Sequence, residues 1–418
     1  MKKEQILLFI LAAIQFAHIV DFMIMMPLGP QLMRLFEINP SQFGMLVSSY
    51  TFSAGIFGFA GAFFIDKFDR KTLLLYTFLG FTLGTFACAF APNYVLLLSA
   101  RIFTGAFGGV LGALVLSIVG DAIPHERRGR AMGIVMASFS VASVFGVPFS
   151  LYIASVWTWH APFIFLGAIG VVISIFIWLY IPSMRAHMRD KSEARPHPLQ
   201  VLKNVRDNKN QQWALLFTVL IMLSQFSIIP FLSPYMVANV GFSEMQLSYI
   251  YMFGGLATIF TSPWVGKLAD KYGKMKIFTI FMILNAIPII VITHMGITPL
   301  IYALLISTFF FVTSNGRMIP SMALITSAVK PKNRGGFMSI NSSVQQLASG
   351  LASFIAGLII VESTSGELIN YNLIGYGSIV LLVISLFVVR KLQVVDEEAI
   401  VDLNQEVPSQ NTALEKSI

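Results

Sequence analysis

An all-α integral membrane protein of twelve transmembrane helices is the fold class this sequence predicts, and three observations carry that expectation. First, 56% of the 418 residues are hydrophobic and 11% are charged, against about 25% charged in an ordinary soluble domain. Second, the apolar residues gather into runs near the roughly 20 residues that cross a bilayer as helix. Third, the basic residues fall in alternate loops between those runs.

In chain order the spans are expected at Ile6–Met33, Phe43–Ile65, Leu73–Ala91, Tyr94–Ile123, Ala131–Val156 and His160–Ile181. After a polar interval come Gln212–Val240, Ser243–Val265, Ile277–His294, Pro299–Val329, Gly335–Val361 and Asn372–Val389. The opening Met1-Lys2-Lys3 before an apolar run has the look of a secretory leader. The run is too long for one and lacks a small-residue cleavage site, so it reads as a retained first span. Of the 28 Lys and Arg, Arg34 alone falls on one side, Arg101 and Arg317 fall inside spans, and the rest lie on the other side. The positive-inside rule therefore puts both termini in the cytoplasm, and the net charge of +8 reports orientation rather than nucleic-acid binding.

Residues 1–182 form an amino-terminal six-helix half, 183–211 a cytoplasmic linker marked by Pro196 and Pro198, and 212–391 a second six-helix half. Leu199–Val205 reads as a short amphipathic helix within the linker, and the acidic stretch 392–418 as a disordered cytoplasmic tail. The halves repeat each other. Asp66-Lys67-Phe68 answers to Asp270-Lys271-Tyr272, and Arg128-Gly129-Arg130-Ala131-Met132-Gly133 to Arg334-Gly335-Gly336-Phe337-Met338-Ser339, at nearly equal offsets. Pseudo-symmetric parallel halves around a central site are what such duplication implies.

Gly266-Lys267-Leu268-Ala269-Asp270-Lys271-Tyr272-Gly273-Lys274 resembles the loop signature of the major facilitator superfamily, and the resemblance covers the chain apart from its tail. The first-half copy carries Ala62 and Asp69 where the pattern has glycines. An acid at a helix end beside cations can clasp neighbouring helices through charge-assisted bonds. That makes Asp66, Arg70 and Asp270 gating candidates; the alternative is that they are interfacial charges fixing topology. Three further stretches resemble the twelve-span drug:proton antiporters, in particular the arabinose-efflux-permease-like group. They are His18-Ile19-Val20-Asp21-Phe22-Met23 through Pro27 and Pro30, Arg101-Ile102-Phe103-Thr104-Gly105, and Gly146-Val147-Pro148-Phe149-Ser150. The last has Ser150 where a glycine is expected, and it makes Gly146 and Pro148 gating candidates. The resemblance implies proton-coupled export of small amphipathic or drug-like molecules across a bacterial inner membrane. Proton symport or facilitated uptake of a small nutrient, such as a sugar or organic anion, is the alternative on the same fold.

Ionisable groups inside spans cost roughly 2.5–3.5 kcal/mol each at a helix centre, so each needs a reason to be there. Asp21 lies past the midplane, roughly 22 Å along the first span, and Arg101 reaches a similar depth from the other side. An arginine that approaches and leaves could switch the acid between loaded and empty states, making Asp21 the proton carrier. A fixed ion pair holding spans together is the alternative. His18 shares the Gln15 and Asp21 face and either relays protons or bonds Asp21. Gln15, Met25 with its neighbours Met23 and Met26, Gln225, Arg317, Asn341 and Gln345 are the substrate-binding candidates, and Tyr235 accompanies Gln225. Arg317 either meets an anionic group or bonds its own backbone, kinked at Pro320. Asn341 and Gln345 either line the path or simply bond between helices. Gly105, Gly108, Gly109 and Gly112 read as close-packing positions, and Cys88, the single cysteine, as packing.

No GxxxxGK[ST] segment, metal-ligand spacing or nucleophile setting is present. The expectation is therefore a transporter rather than an enzyme, with no cofactor and no metal. Its partners are a small-molecule substrate, protons and the lipid bilayer, with no nucleic acid, and the chain is expected to act as a monomer.

Overall fold

The computed structural model describes residues 2–185 and 198–395. Its first half holds α1 (Lys2–Ile24), α2 (Gly29–Leu35), α3 (Pro40–Gly61), α4 (Arg70–Ala89), α5 (Tyr94–Ala122), α6 (His125–Val141), α7 (Val147–Val156) and α8 (His160–Tyr180). Its second half holds α9 (Pro198–Asp207), α10 (Lys209–Ala238), α11 (Glu244–Tyr272), α12 (Lys274–Thr293), α13 (Leu300–Ser327), α14 (Pro331–Ile359) and α15 (Tyr371–Val389). A two-residue hairpin, β1 (Val361–Glu362) with β2 (Leu368–Ile369), joins the last two helices.

Eleven helical stretches are long and apolar enough to cross a membrane, so the chain is a multi-pass membrane protein. The expected span Ser243–Val265 falls on α11, a continuous helix of 29 residues that is not among these eleven. Thr258, Thr261 and Ser262 along it, with Lys267, Asp270 and Lys271 at its end, dilute its apolar character.

Elsewhere the differences from expectation trace to proline and to capping. The first span does not run to Met33: α1 stops at Ile24, a turn follows, and α2 restarts as a short helix. Pro27 and Pro30 account for this, because neither can donate to the preceding turn. The fifth span contains a π-helical turn, Ala142–Gly146, in which the Val147 amide reaches back to the Ala142 carbonyl. Pro148 lacks an N–H and crowds the carbonyl four residues earlier, so the ladder widens by one residue. The expected amphipathic helix near Leu199–Val205 is α9. The middle of the linker, including Pro196, and the tail from residue 396 lie outside the described residues. Residues 393–395 are held: the Gln393 amide donates to Asn210 and the Val395 amide to the Ser327 carbonyl.

The helices carrying Lys67, Arg70, Lys71, Lys267, Lys271 and Lys330 at their ends define a basic end of the bundle; the other is the far end. At the far end α3 and α11 start with matching capping boxes, Asn39 with Gln42 and Ser243 with Gln246. These pairs lie at the same spacing as Asp66 and Asp270, so each loop signature follows a helix begun in the same way. Inside the bundle α3 packs along both α5 and α14, and the π turn with α7 packs along α11. Glycines bring these backbones together. A Cβ on Gly109 would stand 2.1 Å from the Ala54 carbonyl oxygen, and one on Gly44 2.8 Å from that of Ser353. One core cluster draws on residues between Leu7 and Ile181, a second on residues between Val201 and Val389, and a third joins Ile24–Leu32, Phe43–Val47 and Ile228–Tyr251 at the far end.

Candidate functional site

Asp21 and Arg101 face each other in the centre of the first half, 0% and 1% exposed. Arg101 Nη1 donates to Asp21 Oδ2 at 2.8 Å and to the Asp21 carbonyl at 3.3 Å. The other carboxylate oxygen, Oδ1, accepts from Thr85 Oγ1 at 3.1 Å. The guanidinium also lies over the Tyr50 ring, 4.3 Å from its centroid. α4 and α5 thus bond the carboxylate and α3 covers the guanidinium, and removing one member of such a buried pair typically costs about 3–5 kcal/mol. Glycine makes the closure possible. A Cβ on Gly105 would stand 2.4 Å from the Tyr50 carbonyl oxygen, and one on Gly108 2.5 Å from Tyr50 Oη and 3.1 Å from His18 Nε2.

His18 is buried beside this pair, its ring edge-on to Phe81 at 5.9 Å. Neither ring nitrogen has a hydrogen-bond partner among the described residues. Of the two alternatives for His18, the bond to Asp21 is not made, and the carboxylate oxygens accept from Arg101 and Thr85 instead. The Tyr50 hydroxyl and Arg101 Nε are likewise unpartnered. Four buried polar atoms at the ion pair and its neighbours thus have no partner among the described residues.

A second cation lies in the other half. Arg317 of α13 is 1% exposed; its Nε donates to Asn285 Oδ1 at 3.0 Å and its Nη2 to Gln225 Oε1. Among the described residues it makes no side-chain bond to its own backbone. Nη1 has no partner among the described residues. Asn285 is fixed in turn by donating to Thr313 Oγ1 at 2.9 Å and Ser314 Oγ at 3.0 Å. Aromatic rings run between the two centres: Tyr50 stacks on Phe22 at 5.6 Å, and Phe22 meets Phe226 at 6.0 Å, next in sequence to Gln225.

The other residues picked from sequence are more dispersed. Gln15 is half-buried on α1, and Met25 is fully buried in the far-end core. Asn341 Oδ1 accepts from Thr218 Oγ1 at 2.7 Å while its Nδ2 is unpartnered. Gln345 Nε2 lies 3.3 Å from Met322 Sδ, and the Tyr235 hydroxyl donates to the Thr293 carbonyl at 3.4 Å. Gly146 packs against α1 next to the acid: a Cβ there would stand 2.4 Å from Val20 Cγ2. Pro148 is buried in the first turn of α7.

At the basic end, Arg70 is fully buried and gathers Asp66 Oδ1 at 2.5 Å, Asp121 Oδ2 at 2.9 Å and the Ile65 carbonyl at 2.8 Å. This ties α4 to the last turn of α5. Asp270, its counterpart in the repeat, is exposed and makes no ion pair among the described residues. At the far end, Gln31 and Arg34 of the α2 segment both donate to Glu244, the first residue of α11.

Tyr50, Thr85, Asp121 and Asn285 carry these centres and were not singled out by sequence, and Asp69 was noted only as a departure from the loop pattern. Asp121 had a legible signal, an acid in the last turn of a span. Asp69 had another, its intrusion at a glycine position. Gly273 there adopts φ +94°, whereas Asp69 has φ −57° and caps α4 through the Lys71 amide. Its carboxylate also receives Ser183 Oγ, the Met184 amide at 3.0 Å and Arg185 Nε at 3.1 Å, fastening the start of the linker. Burial pushes the Asp69 carboxyl up, but the Ser183, Met184, Lys71 and Arg185 bonds outweigh it and hold its pKa at about 2.

Known proteins agree with this architecture. The Bacillus subtilis (strain 168) protein named uncharacterized MFS-type transporter YceJ is 23% identical over 81% of this chain and 85% of its own length. The riboflavin transporter RibZ of Clostridioides difficile (strain 630) is 24% identical over 89% of this chain and 90% of its own length. A solved bacterial homologue of the human lysosomal transporter Spinster, inward-facing and unoccupied, superposes with a TM-score of 0.75 at 15% identity over 93% of this chain and 97% of its own. The family described as Major Facilitator Superfamily matches residues 11–353 and again 214–409, and the chain, with Arg101 and Arg317 buried inside a multi-pass helical bundle, belongs to that family of secondary membrane transporters, which are not enzymes.

Proposed function

We propose that the chain is a proton-coupled antiporter that exports small amphipathic or drug-like molecules by alternating access. In this reading it works as a monomer in a bacterial inner membrane, with both termini in the cytoplasm. The observation that carries the reading is the Asp21–Arg101 pair at 2.8 Å, the one buried acid of the first half's span interiors held by a cation it can lose. A carboxylate so placed can exchange Arg101 for a proton. Tyr50 and Phe22 then pass the resulting shift of Arg101 toward Phe226 and the second half. Residues 1–182 and 212–391 act as the two rocking bodies, a division supported by two core clusters that each draw on one half, while a third joins both at the far end. The Gln31 and Arg34 contacts on Glu244 serve as the far-end latch, and Asp66, Arg70 and Asp121 stiffen the basic end of the first body.

The test uses purified protein in liposomes with an internal pH dye, an imposed proton gradient, and a panel of lipophilic cations, neutral drugs and anions. Proton movement opposite to compound movement, abolished by Asp21→Asn, is expected. Compounds that move no protons, or an Asn variant that matches the parent, would overturn the reading. A second reading, nutrient uptake, draws on the half-buried amides Gln225 and Gln345 and on the vitamin named for the RibZ relative. Proton and solute moving in the same direction would favour it.

A further inference from the structure

We infer that Arg317 is the anchor for a carboxylate on the transported solute, so that the preferred substrates are amphipathic organic anions. This rests on the reading of the chain as an amphipath transporter and adds the charge of the solute.

The argument starts from charge balance. Arg317 is 1% exposed and roughly 15 Å of helix from the basic end of α13. Both of its partners, Asn285 and Gln225, are neutral amides, and Nη1 has none among the described residues. The acids of α10 to α15 and their joining segments are Glu244, Asp270, Glu362 and Glu367. Glu244 opens α11, Asp270 lies in its last turn, and the other two flank the far-end hairpin. None lies at the depth of Arg317. Arg101, by contrast, has Asp21 at 2.8 Å. A buried guanidinium without a counter-charge is costly, and since no described acid of α10 to α15 supplies one, an anion brought in by the solute would.

The surroundings select which anion. Asn285 is locked by Thr313 and Ser314, which fixes the Nε edge of the guanidinium. A Cβ on Gly316 would stand 2.2 Å from the Phe281 ring, so α12 and α13 close one side. Gln225 is half-buried and single-bonded, and can turn away to release Nη2. Nη1 and Nη2 would then present a planar two-donor fork, the match of a carboxylate. Phe226, next in sequence to Gln225, meets the Phe22 ring at 6.0 Å and offers an aromatic face, and Met322, farther along α13, meets Gln345 at 3.3 Å and offers a soft one. An inorganic anion would satisfy the charge and leave these apolar faces unused. A carboxylate on an aromatic or aliphatic body uses both.

The experiment measures binding to the full chain in nanodiscs, with three acid and amide pairs: benzoate, 2-naphthoate and octanoate, each against its primary amide, with sodium chloride as the inorganic control. At least one acid should bind about tenfold or more tightly than its amide, with chloride a poor competitor. Arg317→Gln should erase that preference and Arg317→Lys keep part of it. Equal binding within every pair, absence of binding by all six compounds, or displacement of the acids by equimolar chloride would overturn the inference. The acid-to-amide comparison needs no variant, so it stands even where a substitution prevents folding. Proton-coupled movement of neutral or cationic compounds without acid preference refutes this inference alone. Acid preference without proton movement refutes the antiport reading alone.

Discussion

Replacing Arg101 by Met should destabilise the protein far more than replacing it together with Asp21. In the single variant the Asp21 carboxylate keeps only the 3.1 Å bond from Thr85 and stays fully buried. Loss of the 2.8 Å partner then costs about 3–5 kcal/mol. Asp21→Asn retains an oxygen for Arg101 and a partner for Thr85 but leaves the guanidinium charge uncompensated, at the lower end of that range. The double variant Asp21→Asn/Arg101→Met buries neither charge. Its cost should fall short of the sum of the singles by about 2 kcal/mol or more, the sign of direct coupling. The single cysteine supplies the assay. Cys88 is buried, with its sulfur 3.8 Å from Thr104 Oγ1, so a thiol-reactive dye labels it only as the fold opens. At this chain length about 3 kcal/mol corresponds to a fall of roughly 3 °C in the labelling midpoint. Additive losses in the double variant, or single variants that melt with the parent, would refute the reasoning that the pair is a desolvated ionic unit.

The glycines of α5 separate into two kinds by the same assay. Gly109→Ala meets the Ala54 backbone at 2.1 Å and should lower the midpoint by an amount equivalent to about 1–3 kcal/mol, whereas Gly112→Ala meets nothing within 4 Å and should be neutral or stabilising. Asp69→Asn should loosen the linker start at neutral pH. The parent's depressed pKa of about 2 means its contribution, about 2 kcal/mol, is present above pH 4 and lost as pH falls from about 4 to about 2. Hydrogen exchange at the Met184 amide should rise about thirtyfold in the variant and show that acid dependence only in the parent. Cysteines at Arg34 and Glu244, in a Cys88→Ser background and joined by a bifunctional maleimide, should block flux if the far end must open; unchanged flux after full cross-linking would remove the latch.

Much of the helical plan was legible because a bilayer forces backbone groups to bond within each segment, leaving length and hydropathy as the governing signals. The loss of continuity after Ile24 and the π turn before Val147 follow from Pro27, Pro30 and Pro148, whose effect on an apolar run hydropathy cannot register. Asp21, Arg101 and Arg317 were conspicuous because a charge in a span is expensive. Their partners were not: Tyr50, Thr85, Gln225 and Asn285 look like ordinary span residues until helices from distant parts of the chain converge. Which alternative His18 takes was hidden for the same reason, since only the assembled helices show that Asp21 accepts from Arg101 and Thr85 and not from His18. The loop signature was readable in both copies, yet the exposed Asp270 and the triply bonded Arg70 show that similar strings sit in different electrostatic surroundings.

Coupling of solute movement to protons through Asp21 is the central claim, and uphill transport tests it most directly. Liposomes carrying the protein are given a pH gradient, and a solute that the panel has shown to move is supplied at equal concentration on both sides. The parent should accumulate that solute on the more acidic side against its own gradient, while Asp21→Asn should leave it level and still exchange labelled for unlabelled solute. A parent that only equilibrates the solute, or an Asn variant that accumulates it as the parent does, would contradict the account.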